Sequence, residues 1–178
     1  RSLWRRSAAD PAEAIAAVNE ALAVSPRRQQ FYFVAAEDYL NAGERGQAIE
    51  ALKKAYGLDR SYPEALSNLV TVLILAGRDA EGEALLLELY GTTTPREERV
   101  AEAYTQRGEY AKAVRMWEVS VRSAPHSAEF HAKLGLAYAR AGRREDAVRE
   151  LEKSVELEPG FRPQVEQALR QIRAGTFR

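Results

Sequence analysis

The 178-residue sequence predicts an all-α fold in which antiparallel helix pairs stack into a single solenoid domain. The first observation is a glycine that recurs with a nearly constant spacing of 34, 31 and 34 residues, at Gly43, Gly77, Gly108 and Gly142. A repeat of this length is typical of solenoids built from helix pairs. The second observation is the abundance of Ala, Leu, Glu and Arg, which favour helices. An ordinary bundle or coiled coil is the alternative, but a coiled coil would need heptads unbroken by glycine and proline.

Two series of packing residues keep the same register as the glycines. The small series is Ala14, Ala48, Gly82, Ala113 and Ala147, and the large series, four residues later, is Val18, Leu52, Leu86, Trp117 and Leu151. A small residue lets two helices approach closely, and the large residue fills the space one turn later. Pro26, Pro125 and Pro159 then end their repeats, because proline lacks the amide donor that a helix needs. Arg60 stands in the corresponding place of one repeat.

The repeats are predicted in chain order as follows. Residues 1–28 are the remainder of an earlier repeat, with a helix over residues 11–24 that Asp10 caps and Pro11 opens. Four full repeats cover residues 29–62, 63–93, 94–127 and 128–161. The second of these is three residues short, and we place the deletion at residues 91–94, so that Thr94 caps the next helix and Pro95 lies in its first turn. A last helix, over residues 162–174, has the mixed polar face of a solenoid cap.

Composition excludes several classes of function. The 26 basic and 26 acidic residues balance, so no overall positive field attracts nucleic acid or an anionic membrane. The absence of cysteine excludes disulfides, thiolate chemistry and cysteine-bound metals. The longest apolar run, residues 69–76, is far shorter than the roughly 20 residues that span a bilayer, so we expect no membrane insertion by this segment. The chain begins with Arg1, which we interpret as a piece of a longer protein.

No arrangement of catalytic or metal-binding residues is recognisable. His126 and His131 are five residues apart, which does not place two ligands on one helical face as a four-residue spacing would. His131 occupies a packing position, so we expect it in the core. No glycine-rich phosphate loop occurs, and no serine has the Gly-x-Ser-x-Gly setting. We therefore predict no enzyme activity, no metal and no cofactor.

The repeats resemble the tetratricopeptide repeat (TPR). The resemblance is carried most fully by His131, Leu134, Gly135, Tyr138, Ala147, Leu151 and Pro159, with His131 in place of the leading tryptophan. A looser copy consists of Glu97, Val100, Ala101, Tyr104, Ala113, Trp117 and Pro125. The resemblance implies a right-handed superhelix whose first helices line a concave groove, and it implies a protein or peptide ligand.

The register assigns two kinds of residue to this groove. The first half combines an apolar floor with polar neighbours, namely Phe33, Glu37, Leu40, Asn41, Asn68, Thr71, Ile74 and Leu75. The second half is charged and includes Arg99, Glu102, Lys133 and Arg140, with Glu98 and Glu129 beside them. Two alternatives stay open: the apolar residues could pack between neighbouring first helices, and the charged residues could be a solvated, self-neutralising face.

One known ligand class of TPR domains does not suit this groove. Chaperone-binding TPR domains hold a C-terminal carboxylate with five residues, namely two lysines, two asparagines and an arginine. Asn68 and Arg99 fall on two of these five positions. Phe33, Glu37 and Pro95 occupy the other three, and Glu37 would repel a carboxylate. We therefore expect a different ligand.

A narrower resemblance covers residues 22–93. The phrases Lys53-Lys54-Ala55-Tyr56 and Ser61-Tyr62-Pro63-Glu64-Ala65 are similar to the C-terminal TPR region of bacterial O-antigen ligase-like membrane proteins. That resemblance implies an accessory scaffold attached to a membrane enzyme, and it suggests glycan handling as an alternative function. A further alternative is a self-assembling scaffold, in which the stripe of Ala14, Val18 and Ala21 in the truncated first repeat pairs with another copy.

Overall fold

The structure, a computed structural model, describes residues 10–177, and this part of the chain has ten α-helices, one short 3-10 turn and no strand. The helices are α1 (Pro11–Val24), α2 (Gln29–Asn41), α3 (Arg45–Leu58), α4 (Pro63–Leu75), α5 (Asp79–Tyr90), α6 (Glu98–Gln106), α7 (Tyr110–Ser123), α8 (Ala128–Arg140), α9 (Arg144–Leu157) and α10 (Arg162–Ala174). The predicted all-α architecture is confirmed. The predicted bounds of α1 and α10 agree with the structure, and the side chain of Asp10 caps α1 by accepting a hydrogen bond from the amide of Ala12 at 3.1 Å.

The recurring glycines each end the first helix of a pair. Gly43, Gly77, Gly108 and Gly142 have φ between 77° and 79°, a left-handed conformation that side chains other than glycine rarely adopt. After each of them, the next amide returns to the carbonyl five residues earlier, as in the 2.8 Å bond from Glu44 to Tyr39. This pattern satisfies carbonyls that the end of a helix would leave unpaired. The spacing of the glycines therefore reports the position of the turns.

The described helices form two compact units that are divided between Gly82 and Glu83, and we call them the N-terminal and C-terminal units. In the N-terminal unit, α1 packs on α2, α2 on α3 and α3 on α4. The predicted packing residues Val18, Ala48 and Leu52 are all buried. Gly82 is buried as well, and a Cβ atom there would lie 3.0 Å from Cδ1 of Ile74.

In the C-terminal unit, the order of packing is α6 on α7, α7 on α8, α8 on α9 and α9 on α10. The predicted packing residues of this unit are buried, namely Leu86, Ala113, Trp117, Ala147 and Leu151. Helices α8 and α9 approach closely at Gly135, where an added Cβ would lie 2.7 Å from Cγ of Leu151 and 3.1 Å from the carbonyl oxygen of Ala147. This contact explains why the register requires small residues at these positions.

The start of α6 differs from the prediction. The helix begins at Glu98, and neither Thr94 nor Pro95 caps it or lies in its first turn. The amide of Thr94 donates instead to Oγ1 of Thr92 at 3.2 Å, a local bond that competes with helix initiation. Glu97, the residue before the helix, has an extended backbone, and its carboxylate accepts a 2.5 Å hydrogen bond from the hydroxyl of Tyr90. The repeat that follows the shortened one therefore has a first helix of nine residues, whereas α4 and α8 have thirteen.

Candidate functional site

In the N-terminal unit, the predicted apolar floor is partly accessible. The ring of Phe33 is half-buried and lies 6.0 Å from the ring of Tyr62, with a tilt of 44° between the planes. The side chain of Leu40 is 39% exposed, and Leu75 is half-buried. Among the polar neighbours, Glu37 and Asn41 are exposed, whereas Asn68 and Thr71 are half-buried. These first helices, α2 and α4, thus combine accessible apolar surface with polar groups.

Ile74 is an exception, and the structure corrects its assignment. Its side chain is 0% exposed and fills the space that the missing Cβ of Gly82 leaves on α5. Because glycine replaces the alanine found at this position in the other four repeats, the isoleucine reaches into the gap between the two helices of its own pair. Ile74 is therefore a core residue, and its assignment to the surface of the groove is wrong.

Thr71, on the same helix, has an unusual environment. Its hydroxyl oxygen is buried and has no hydrogen-bond partner. A buried hydroxyl without a partner costs free energy, about 1–3 kcal/mol. The hydroxyl therefore lowers the stability of this part of α4, and we have no packing reason for a threonine here.

In the C-terminal unit, the predicted charges form a cluster around Lys133. The amine of Lys133 lies 2.9 Å from carboxylate oxygens of Glu102 and Glu129 and 4.0 Å from Glu98, and it lies 5.0 Å from the centre of the Trp117 ring. Partial burial alone would lower the pKa of Lys133, but the hydrogen bonds with Glu102 and Glu129 outweigh this effect and raise it. Lys133 is therefore a firmly charged group whose partners lie on α6 and α8.

Beside this cluster, α6, α7 and α8 enclose an open depression with a volume of about 180 Å³. Its lining consists of Glu102, Thr105 and Gln106 from α6, Trp117 from α7, and Lys133, Leu136 and Arg140 from α8. The spacings of three and four residues on α6 and of three and seven on α8 place these side chains on one face of each helix. The depression thus has an apolar floor, formed by Trp117 and Leu136, and a polar rim.

Three of the four residues predicted for the charged half of the groove line the depression, namely Glu102, Lys133 and Arg140. The fourth, Arg99, is exposed and is not part of the lining. Sequence reasoning missed Trp117, because the register explains it fully as a core residue. It is 2% exposed and still contributes to the floor. The available signal was its size, since the equivalent positions in the other repeats hold valine or leucine.

Arg140 is the charged residue at the far end of the depression. It is exposed, and its guanidinium carbon lies 5.9 Å from the centre of the Phe177 ring. No carboxylate of residues 10–177 forms an ion pair with it, whereas Lys133 has three such neighbours. Among the described residues, Arg140 therefore differs from Lys133 in having no carboxylate that compensates its charge.

His131 has a structural position, as predicted. It is 7% exposed, its Nδ1 lies 2.7 Å from a carboxylate oxygen of Glu150 on α9, and its Nε2 lies 3.1 Å from the carbonyl oxygen of Pro125. The ring thus joins α9 to the loop between α7 and α8. Within residues 10–177, no group of three or more His, Asp or Glu side chains could hold a metal ion. None of the helices described here is long and apolar enough to cross a membrane.

Comparison with known protein families and structures decides the nature of the repeats. A family model described as tetratricopeptide repeat matches residues 39–103, and a second model with the same description matches residues 128–161. The chain contains tetratricopeptide repeats. A comparison with curated proteins finds no match.

Solved structures of TPR proteins share this fold. The crystal structure of MamA is 25% identical over 85% of this chain and 90% of its own, with a TM-score of 0.59. MamA from Desulfovibrio magneticus RS-1 is 21% identical over 83% and 86%, with a TM-score of 0.57. YrrB, described as a TPR protein with an unusual peptide-binding site, is 20% identical over 84% and 78%, with a TM-score of 0.53. These matches confirm the TPR fold and do not test the resemblance to O-antigen ligase-like proteins.

Proposed function

We propose that this TPR chain is a non-catalytic scaffold that binds a peptide or a protein segment. The observation that carries the proposal is the depression between α6 and α8, with Trp117 and Leu136 as its floor. Ligand sites typically combine an apolar floor with a few well-placed polar groups. YrrB supports the proposal to the extent that it has the same fold and is described as having a peptide-binding site.

The depression suits an apolar side chain of a ligand. Such a side chain would displace water mainly from Leu136, because Trp117 is only 2% exposed, and the exposed amide of Gln106 would hydrogen-bond the ligand's backbone. A few buried anchor residues commonly dominate binding, so the ligand residue that enters the depression is expected to contribute much of the affinity. The charged cluster around Lys133 would change the affinity and its salt dependence less than the apolar anchor does.

Two substitutions test the depression directly. Gln106→Trp fills it from the exposed rim, and Leu136→Ala removes part of its floor. We expect both variants to lose partners that the wild type captures from a lysate of the source organism, as measured by quantitative mass spectrometry, while their circular dichroism spectra stay unchanged. Arg115→Gln on α7, an exposed substitution outside the lining, serves as the matched control. Retention of every partner by both depression variants would refute the proposed site.

In the N-terminal unit, we propose that the accessible residues of α2 and α4 form a second binding surface, consisting of Phe33, Glu37, Leu40, Asn41, Asn68, Thr71 and Leu75. Leu40→Glu tests this surface with little risk to the fold, because the side chain is 39% exposed. Leu58→Glu on α3 is the matched control, since Leu58 is exposed to a similar degree on a second helix. If Leu40→Glu and Leu58→Glu capture the same partners in equal amounts, the proposed second binding surface is refuted.

The alternative functions have less support. Glycan handling would need an aromatic residue in the groove to stack on the sugar, and the candidate is Phe33, whose ring already contacts that of Tyr62. For self-assembly through α1, the central residue Val18 is 4% exposed in the single chain. Attachment to a larger membrane protein stays a prediction. Any residues that precede Arg1 in a longer protein would test it, because a series of hydrophobic segments there would support attachment and further TPRs would oppose it.

A further inference from the structure

We infer that the depression of the C-terminal unit recognises an acidic side chain that lies within two residues of an apolar one. This inference rests on the proposed function, since it names the chemistry of the ligand at the same site. It is carried by the contrast between the two cations of the lining, Lys133 and Arg140, and by the position of Leu136 between them.

Lys133 is not available to a ligand, whereas Arg140 is. The amine of Lys133 already contacts Glu102 and Glu129 at 2.9 Å and Glu98 at 4.0 Å. Arg140 follows Lys133 by seven residues on α8, or roughly 10 Å along the helix axis. Interactions between exposed charges fall off over about 8 Å at physiological ionic strength. The single charge of Lys133 offsets only part of the charge of these three carboxylates, and screening by salt weakens their remaining field at the Arg140 end of the depression.

Within residues 10–177, no group accepts a hydrogen bond from the guanidinium of Arg140, so its donors can bind a carboxylate. Phe177 approaches the guanidinium carbon at 5.9 Å to the ring centre, a contact that restricts the side chain. The planar guanidinium keeps donors along its edge, and these match the two oxygens of a carboxylate. A carboxylate on the ligand would give Arg140 the ion pair that it lacks among residues 10–177.

The spacing of Leu136 and Arg140 determines the order of groups on the ligand. The two residues are one helical turn apart, and both line the depression. Side chains one turn apart on a helix are about 6 Å apart, close to the distance between alternate residues of an extended peptide. An extended ligand with an apolar residue over Leu136 thus carries its acidic residue two positions away, over Arg140.

Selection from a random heptapeptide library displayed on phage tests this inference. The peptides are joined to the phage through their C-termini, so that no free terminal carboxylate is present. We expect the wild type to enrich peptides with Asp or Glu within two residues of Leu, Ile or Phe. A synthetic, amidated peptide of the enriched sequence should bind Arg140→Gln at least about tenfold more weakly than wild type, because a charge-assisted hydrogen bond is lost. Arg115→Gln, an exposed arginine on α7, should bind like wild type.

The possible outcomes distinguish a failure of this inference from a failure of the proposed peptide-binding function. If the wild type enriches no peptide, the proposed peptide-binding function fails and the inference fails with it. If peptides are enriched without acidic residues, or if Arg140→Gln binds them as tightly as wild type, the function survives and the inference is overturned. Binding that requires a free C-terminal carboxylate in the synthetic peptide would also overturn the assignment to an acidic side chain. Circular dichroism of Arg140→Gln excludes unfolding as the cause of a loss.

Discussion

At the scale of single residues, the fold depends on small side chains where two helices meet. Ala147 is fully buried, and its carbonyl oxygen lies within 3.1 Å of the position that a Cβ on Gly135 would occupy. We expect Ala147→Leu to lower the free energy of unfolding by about 1–3 kcal/mol, because extra methyl groups force α8 and α9 apart. Arg149→Leu on the same helix should change it by less than about 1 kcal/mol, since exposed ion pairs contribute little. Equal losses in urea denaturation would show that the register of α9 is wrong.

His131 shows how one repeat replaces the usual large packing residue by a polar one. Its two ring nitrogens face a carboxylate oxygen of Glu150 and the carbonyl of Pro125. We expect His131→Phe to cost about 1–3 kcal/mol of unfolding free energy, because a partly buried carboxylate loses its donor although the volume is filled. Replacing Glu150 by Leu in that variant should restore part of the loss. A double-mutant cycle with no coupling between the two positions would contradict this explanation.

At the scale of helices, tyrosines join the first helix of one pair to the preceding second helix. The hydroxyl of Tyr138 on α8 donates to Glu118 on α7 at 2.7 Å, and the hydroxyl of Tyr104 on α6 donates to Glu83 on α5 at 3.0 Å. Tyr39 on α2 contacts Asn19 on α1 in the same way. In the pair of Tyr138 and Glu118, burial and the hydrogen bond oppose ionisation of the tyrosine by raising its pKa, and this effect can be measured.

Tyr138 gives the pH prediction. Burial, and then the hydrogen bond to Glu118, raises the pKa of Tyr138 to about 12, from about 10 in the unfolded chain. The folded state therefore holds this proton more tightly, so its contribution to stability is complete below about pH 10 and is lost as the pH rises towards 12. In Tyr138→Phe, the fall in melting temperature over that window should be smaller than in wild type. An equal fall in both proteins, with tyrosinate absorbance as a parallel measure, would contradict the prediction.

The helices also show what the sequence could predict and what it could not. The turns were predictable because a left-handed residue strongly favours glycine, and the core was predictable because small and large residues recur together. The buried position of Ile74 was not predictable, because α4 is apolar on nearly every side and the register alone does not determine which apolar side chain points into the core. The start of α6 was missed because the bond between Thr92 and Thr94 competes with the cap. In the candidate site, the charged residues followed from helix spacing, but the floor that Trp117 supplies depends on how α7 lies beneath α6 and α8.

At the scale of the molecule, stability in a solenoid passes from each helix to its neighbours. Among the described residues, α1 packs mainly on α2, whereas α8 packs on both α7 and α9. A helix with one neighbour opens more easily than a helix held on two sides, and amide exchange measures this opening. We therefore expect amides of α1, including those of Ala14 and Val18, to exchange faster than those of α8. If the rate in α1 falls as protein concentration rises, a second copy covers it, which would support self-assembly. Equal protection of α1 and α8 at every concentration would contradict this view of the N-terminal helix.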